Sequence, residues 1–228
     1  IIISIDLYYN NTKLTNEMKV NKTYTFNEVK ENYRTQNVLD ESVLHALSRI
    51  DRRDFVPDGF ENFSYSDIEI PLSNKQFMLR PSVEGMIIQS LSITELDNIL
   101  VVGSGTGYLT SCISLLCNKV DAIDTYADLV EQAQKRIEKY NLPNVKIENK
   151  NILNDWSIIR NYNIVIFTFG LDSNESVQKN LGEYSRCFMF ENKKNFPMKS
   201  GIIINKSSGS NFVKNFITQA YTTEIIKC

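Results

Sequence analysis

The chain has 228 residues, of which 42% are hydrophobic and 23% charged, so it is long enough to bury a core and has the composition of an ordinary globular domain. Its formal net charge is -2 and its Lys and Arg residues form no basic run, which disfavours nucleic acid as a partner. No segment of the sequence reaches the ~18 consecutive apolar residues of a membrane span, so we expect no membrane association.

The four cysteines include no C-x-x-C pair, which argues against a zinc knuckle and against a redox-active dithiol. We therefore predict reduced thiols, no metal ion and a cytoplasmic protein. The apolar residues 1–3 follow no basic segment, and Asp6 interrupts the run, so the sequence does not predict a signal peptide.

Residues 1–25 are rich in Asn and Thr without clear periodicity, and we interpret them as an N-terminal arm. Apolar residues at helical spacing predict two helices, at residues 26–33 and 40–50, with Asp40 as the N-cap of the second. Prolines and scattered aromatic residues then predict a long irregular connection over residues 55–77. We expect these elements to form an N-terminal part, residues 26–81, of one compact domain that spans residues 26–228.

From residue 82 to the end the pattern alternates between helices and strands. Helices are predicted at residues 82–91, 108–116, 129–140 and 174–181, and strands at residues 99–102, 120–123, 145–148, 163–168, 186–190 and 202–204. Such alternation predicts an α/β fold with a Rossmann-like, doubly wound and mostly parallel sheet, covered by helices on both faces.

A glycine-rich turn follows the first strand of this core. Three of the nine glycines, Gly103, Gly105 and Gly107, lie within five residues, between a strand and a helix, where glycine lets the backbone turn sharply and approach a ligand. Asp124 ends the next strand about twenty residues later, where a carboxylate can accept hydrogen bonds from both hydroxyls of a ribose. The pair favours a nucleoside-binding turn over glycines that only relieve crowding. The spacing is not the G-x-G-x-x-G of dinucleotide sites, which disfavours a nicotinamide-dependent dehydrogenase.

The loop after the third strand offers a further contact, because Asn151 can meet the amino group of an adenine, although Asn is also a common turn residue. The predicted cofactor-binding residues are Gly103, Ser104, Gly105, Thr106, Gly107, Asp124, Thr125, Asn151 and Ile152.

Residues 36–206 resemble the protein-L-isoaspartate O-methyltransferase family. Residues 53–57 resemble its R-x-F-V-P segment, residues 65–67 its Y-x-D motif and residues 70–72 its apolar-proline pair. Residues 99–108, which read I-L-V-V-G-S-G-T-G-Y, resemble the family's cofactor motif, and Leu129 with Ala133 resembles its L-x-x-x-A helix. The segment N-I-V-I-F-T-F-G at residues 163–170 is similar to the strand that leads to the acceptor site.

The resemblance implies a class I methyltransferase that repairs damaged proteins. Such an enzyme, expected here as a monomer, transfers methyl from S-adenosyl-L-methionine to the carboxylate of an L-isoaspartyl residue, and its product is S-adenosyl-L-homocysteine. A carboxylate is already an anionic nucleophile at pH 7, so no general base is needed, and the single histidine, His45, is expected to be structural. The resemblance places the acceptor under a loop: the predicted catalytic residues are Leu79, Arg80, Ser82 and Thr168, and the predicted substrate-binding residues are Gln76, Phe77, Met78 and Pro81.

The chain departs from the family pattern at several positions. Leu79 stands where the loop motif Q-x-I-S-x-P has its serine, and Arg80 or Ser82 would have to compensate. Val101 replaces an acidic residue of the first strand, Asn149-Lys150 replaces a Gly-Asp pair, and residues 183–185 lack a glycine pair. Two alternatives therefore stay open: a methyltransferase of this fold with another acceptor, and a catalytically silent member that binds cofactor or peptide.

Overall fold

The computed structural model describes residues 24–192, 198–209 and 211–222. Residues 1–23 of the predicted arm and Cys228 therefore lie outside the described residues. In the described part none of the helices has the length and apolar character needed to cross a bilayer, and no three His, Cys, Asp or Glu side chains group as metal ligands.

Both predicted N-terminal helices are present, and each begins at a side-chain cap. Helix α1 (Phe26–Thr35) starts with a capping box in which Thr25 and Glu28 each accept a hydrogen bond from the other's backbone N–H group. Helix α2 (Glu41–Arg49) starts at Asp40, whose carboxylate accepts hydrogen bonds from two backbone N–H groups. The exposed ring of His45 meets the edge of the Phe26 ring, and the structural role expected for this histidine stays a prediction.

The connection between α2 and the core is irregular, as predicted, but it contains short elements that the sequence analysis missed. Single 3₁₀ turns lie at Arg52–Asp54, Glu61–Phe63 and Ser73–Lys75. Strands β1 (Ile70–Pro71) and β2 (Phe77–Met78) pair antiparallel into a hairpin, residues 70–78. Strands of two residues have no periodicity, so no sequence pattern could predict them.

The remaining elements form an alternating α/β core. In chain order they are α3 (Pro81–Ser90), β3 (Asn98–Val102), α4 (Tyr108–Ser114), β4 (Lys119–Asp124), α5 (Ala127–Glu138), β5 (Val145–Asn149), β6 (Ile164–Leu171), α6 (Glu175–Asn180), β7 (Arg186–Glu191), β8 (Lys199–Lys206) and β9 (Phe212–Ala220). The seven-stranded sheet has the order β5-β4-β3-β6-β7-β8-β9; the first five of these strands are parallel, and β8 and β9 are antiparallel additions. The predicted doubly wound fold is confirmed.

Strand β9 was not predicted, because most of its side chains are exposed and polar residues interrupt its apolar ones. The buried strands alternate between two hydrophobic clusters. Ile99 and Val101 pack on the face covered by α1 to α5, whereas Leu100 and Val102 pack on the face of α6 and a 3₁₀ segment, Trp156–Asn161. The order of the strands reverses between β3 and β6, so the topological switch point of the sheet lies at the carboxyl ends of these two strands.

Candidate cofactor and acceptor site

One cavity of about 270 Å³ lies at the carboxyl ends of the parallel strands. The turns after β3, β4 and β5 and the end of β6 form its floor and sides, and the β1–β2 hairpin forms the opposite wall. The residues that line it are Leu72, Gln76, Phe77, Val102, Gly103, Gly105, Ile123, Asp124, Thr125, Tyr126, Leu129, Lys150, Asn151, Ile152, Leu153, Thr168 and Phe169.

The three glycines of the turn have separate physical roles. All three have positive φ angles, +89° at Gly103, +51° at Gly105 and +87° at Gly107, which side-chain-bearing residues rarely adopt. A Cβ on Gly103 would lie 2.3 Å from Thr168 Oγ1, and one on Gly107 would lie 3.1 Å from the Cβ of Ala133. A Cβ on Gly105 would meet nothing nearer than Leu72 Cδ1 at 3.9 Å. Crowding therefore explains the outer two glycines, and open space beside the cavity distinguishes Gly105.

The side chain of Asp124 connects the end of β4 to the glycine turn. Its side chain is buried, with 7% exposed; Oδ2 accepts a hydrogen bond of 2.9 Å from Gly105 N, and Oδ1 accepts one of 3.1 Å from Tyr126 N. Burial raises the pKa of Asp124, while the backbone N–H groups oppose this shift by stabilising the anion. Each carboxylate oxygen has two lone pairs, so the group that holds the turn can still accept hydrogen bonds from a ligand.

The other predicted cofactor residues divide into two groups. Thr125, Asn151 and Ile152 line the cavity, and Asn151 Oδ1 accepts a hydrogen bond of 2.9 Å from Leu153 N, which caps a 3₁₀ turn and leaves the amide donor for a ligand. Ser104 and Thr106 are buried in the turn and are not among the lining residues.

Several lining residues were not predicted. Tyr126 and Leu129 follow Asp124 within five residues, and Lys150 and Phe169 each adjoin a predicted residue. Their nearness in sequence to Asp124, Asn151 and Thr168 was the available signal, because a turn that reaches a ligand presents several consecutive residues to it.

Only some of the predicted acceptor residues face the cavity, and others are buried in the core. Gln76, Phe77 and Thr168 line the cavity; Phe77 is 41% exposed, and the Thr168 hydroxyl donates a hydrogen bond of 2.7 Å to Gly103 O. Met78 and Leu79 are buried, with 4% and 6% exposed, and are not among the lining residues. Leu79 thus packs into the core beside the site.

Arg80 lies among acidic partners. Its Nε is 3.1 Å from Glu69 Oε1, at ion-pair distance but without hydrogen-bond alignment, and its Nη1 is 3.9 Å from Asp67 Oδ2. Its Nη2 donates a hydrogen bond of 3.1 Å to Gln219 O in β9. Asp67 Oδ1 also accepts a hydrogen bond from the backbone N–H of Ser82. Arg80, Pro81 and Ser82 are not among the lining residues, and a substrate carboxylate would have to displace Asp67 or Glu69 to pair with Arg80.

A buried arginine that the sequence analysis did not select organises this loop. The guanidinium of Arg52 is fully buried; it donates to Glu84 Oε2 at 2.9 Å, to Leu79 O at 2.5 Å and to the carbonyl of Ser64, and it lies 5.3 Å from the centre of the Tyr108 ring. Burial raises the pKa of Glu84 to about 7, against the opposing charge of Arg52.

The R-x-F-V-P segment of the sequence begins at Arg53, but Arg53 makes a partly exposed pair with Asp51. An arginine one residue earlier, fully buried between the helices and the acceptor loop, has the structural role. A pair of adjacent arginines gives no sequence signal of which one is buried.

Comparison with known proteins agrees with this architecture. A model of the family described as protein-L-isoaspartate(D-aspartate) O-methyltransferase matches residues 25–176. Protein-L-isoaspartate O-methyltransferases of Paracoccus denitrificans and Roseobacter denitrificans are 38% and 36% identical over 112 residues, which are 49% of this chain and 52% and 53% of those proteins. The chain thus spans about half the length of the curated relatives it matches.

Solved structures show the same fold. A Plasmodium falciparum protein described as a beta-aspartate methyltransferase, in complex with S-adenosyl-L-homocysteine, superposes with a TM-score of 0.74 at 17% identity, over 89% of this chain and 99% of that one. A second structure, a protein-L-isoaspartate O-methyltransferase, gives a TM-score of 0.75 at 17% identity, over 88% of this chain and 65% of that one.

The sheet order and the glycine turn beside Asp124 define a Rossmann-like fold of the class I methyltransferases. Within that class, the match over residues 25–176 covers more than half of the chain. The chain belongs to the protein-L-isoaspartate O-methyltransferase family.

Proposed function

We propose that this protein binds S-adenosyl-L-methionine in the cavity at the carboxyl edge of the sheet and methylates the carboxylate of L-isoaspartyl residues in damaged proteins. The observation that carries the proposal is the convergence of Gly105, Asp124 and Asn151 on one cavity, in a chain of this family. The product that leaves the cavity is S-adenosyl-L-homocysteine.

The cavity offers the groups that such a cofactor needs. Asp124 would accept hydrogen bonds from the ribose hydroxyls, and the amide donor of Asn151 would reach a ring nitrogen of the adenine. The open side of Gly105 would let its backbone approach the methionine portion. Val102, Ile123 and other apolar side chains also line the cavity and would pack against the flat adenine ring.

S-Adenosyl-L-methionine supplies an electrophilic methyl group on a sulfonium. The protein has to supply position and exclusion of water, because a carboxylate acceptor is ionised at neutral pH and needs no proton removed. The Thr168 hydroxyl is engaged with Gly103 O, so it holds the turn in place and is not required as a base. The exposed ring of Phe77 would meet the acceptor peptide on the hairpin side.

Leu79 supports a second candidate, a methyltransferase of the same fold with another acceptor. Its buried apolar side chain provides no hydroxyl for a carboxylate, and Arg80 already has Glu69 and Asp67 as partners. A third candidate, a silent member, would bind cofactor or peptide without turnover.

Transfer of labelled methyl from S-adenosyl-L-methionine to an isoaspartyl peptide, beside its normal aspartyl twin, tests the proposal. Base-labile label on the isoaspartyl peptide alone is the expected result. Binding of S-adenosyl-L-homocysteine by calorimetry without label on either peptide would reject the isoaspartyl acceptor and favour the second or third candidate. Label on both peptides would indicate an acceptor site without isoaspartyl selectivity.

We further propose that the protein is a cytoplasmic monomer. Cys112, Cys117 and Cys187 are free thiols in the part of the chain that the structure describes, which supports a reducing compartment. Light scattering of the purified protein tests the monomer, and a mass larger than 26.2 kDa would contradict it. The expectation that nucleic acid is not a partner stays a prediction from the charge pattern.

A further inference from the structure

A carboxylate outside the cavity fastens the hairpin to the core. Asp128 lies in the first turn of α5, where its Oδ2 accepts a hydrogen bond of 2.5 Å from the Ser73 hydroxyl. The Asn74 amide donates to both oxygens of Asp128, at 2.9 and 3.1 Å. A longer contact of 3.4 Å joins Gln76 Nε2 to the Tyr126 hydroxyl. The hydrogen bonds to Asp128 and the contact with Tyr126 connect the hairpin to residues 126–128, just after Asp124.

The hairpin held in this way is one wall of the cofactor cavity. Leu72, Gln76 and Phe77 all face the cavity, and Leu72 Cδ1 is the nearest atom to the open side of Gly105. A ligand that occupies the cavity therefore lies between the glycine turn and the hairpin, and a hairpin that moves away from the core would uncover that ligand.

The backbone at the tip of the hairpin is strained, and contacts with the core stabilise it. Asn74 and the following Lys75 have φ angles of 56° and 57°, in the left-handed region that costs side-chain-bearing residues about 1 kcal/mol or more each. Asn tolerates this region, but Lys has no such preference. The three hydrogen bonds to Asp128 offset this strain, so their loss would let the tip relax away from the core.

We propose that Asp128 is a positioning residue that holds the hairpin closed over the cofactor cavity and thereby sets how long the cofactor stays bound. The proposal rests on the proposed function, since it takes S-adenosyl-L-methionine and S-adenosyl-L-homocysteine as the ligands of the cavity. Asp128 contacts neither ligand, because it is not among the lining residues and acts through Ser73 and Asn74.

The charge of Asp128 suits this task at physiological pH. Hydrogen bonds from Ser73 and Asn74 lower the pKa of Asp128, with the Ser73 hydroxyl as the largest cause, so the carboxylate stays ionised and accepting near neutrality. Its position in the first turn of a helix also favours a negative charge.

The test compares Asp128→Ala and Asp128→Asn with Glu131→Ala, a change on the same helix that removes an exposed pair with Lys135. Dissociation of S-adenosyl-L-homocysteine is followed by stopped-flow displacement. We expect dissociation to accelerate roughly three- to tenfold in Asp128→Ala, to accelerate less in Asp128→Asn, which keeps one accepting oxygen, and to stay unchanged in Glu131→Ala.

Two further measurements distinguish the loss of the contacts between Asp128 and the hairpin from a general loss of protein stability. Ser73→Ala should add little to Asp128→Ala, because both remove the same hydrogen bond, whereas independent structural effects would add. Trypsin should cleave after Lys75, at the exposed tip, faster in ligand-free Asp128→Ala than in the wild type.

An unchanged dissociation rate in an Asp128→Ala protein that binds the ligand would overturn the proposal. Full additivity with Ser73→Ala would do the same. If the wild type binds no S-adenosyl-L-homocysteine, the proposed function fails instead. In that case, equal cleavage after Lys75 in the wild type and in Asp128→Ala would show that Asp128 does not hold the hairpin in place.

Discussion

The two walls of the cavity are built in different ways. On the sheet side, backbone groups form most of the wall: the glycine turn follows β3 directly, and the Asp124 carboxylate holds this turn by accepting a hydrogen bond from a backbone N–H group. On the acceptor side, an irregular loop is held by long-range side-chain contacts, chiefly those of Arg52 to Glu84 and to the Leu79 carbonyl. The departures from the family's motifs are found on both sides, but their consequences differ.

On the sheet side, Val101 replaces an acidic residue, yet it is fully buried in the core and the turn keeps its geometry. On the acceptor side, Leu79 stands where the family motif has a serine, and its side chain packs into the core and offers no hydroxyl to an acceptor. A site made from backbone groups tolerates changes of side chain, whereas a site made from side chains changes its chemistry with each substitution.

The largest effect should come from the buried network of the acceptor side. Arg52→Ala would leave Glu84 buried without its partner, and we expect a loss of about 3–5 kcal/mol in the free energy of unfolding. Arg53→Ala, which breaks a partly exposed local pair, is the matched control and should cost less than about 1 kcal/mol. Urea unfolding measures both, and similar losses for the two variants would contradict the role assigned to Arg52.

The next effect tests the close packing of the glycine turn. Gly103→Ala would place a Cβ 2.3 Å from Thr168 Oγ1 at a positive φ, and we expect it to cost about 2–4 kcal/mol of stability and to weaken binding of S-adenosyl-L-homocysteine. Gly209→Ala has a similar φ of +72°, but no atom of the residues that the structure describes lies within 4 Å of the added Cβ. It should show the backbone strain alone, about 1 kcal/mol, with normal ligand affinity. Thermal unfolding and calorimetry on both variants separate the clash from the strain.

Substitution of Asp124 tests the sheet side of the cavity by its effect on ligand affinity. Asp124→Ala should weaken affinity for S-adenosyl-L-homocysteine by about 1–3 kcal/mol, because it removes a charged acceptor and releases the Gly105 N–H group. Asp124→Asn retains one oxygen and should lose less. An unchanged calorimetric affinity in the alanine variant would exclude Asp124 from the site.

The smallest effect is a pH dependence from the same carboxylate. Burial raises the pKa of Asp124, and the proposed hydrogen bonds from the ribose hydroxyls would be stronger to the ionised carboxylate. Affinity for S-adenosyl-L-homocysteine should therefore be complete above that raised pKa and should fall as the pH is lowered through it, earlier than for an aspartate with the ordinary pKa of ~3.9. Asp124→Asn should lack this component, and a parallel pH profile in the two proteins would assign the effect to the ligand.

The sequence by itself determined the fold and the cofactor turn, because both follow from local patterns. Alternating apolar periodicity predicted the parallel core, and the grouping of Gly103, Gly105 and Gly107 before a helix, with Asp124 one strand later, predicted the edge of the sheet at which the cavity lies. These features need only neighbours in sequence and the regular geometry of a βαβ unit.

The tertiary structure alone decided how the irregular residues 50–82 meet the core. It buried Arg52 instead of Arg53, placed Arg80 between Glu69 and Asp67, and brought the hairpin to Asp128 across more than fifty residues of chain. Contacts of this kind depend on how a loop without periodicity packs against distant elements, and no local pattern records that choice. For the same reason Gln76 and Phe77 face the cavity while Met78 and Leu79 turn into the core.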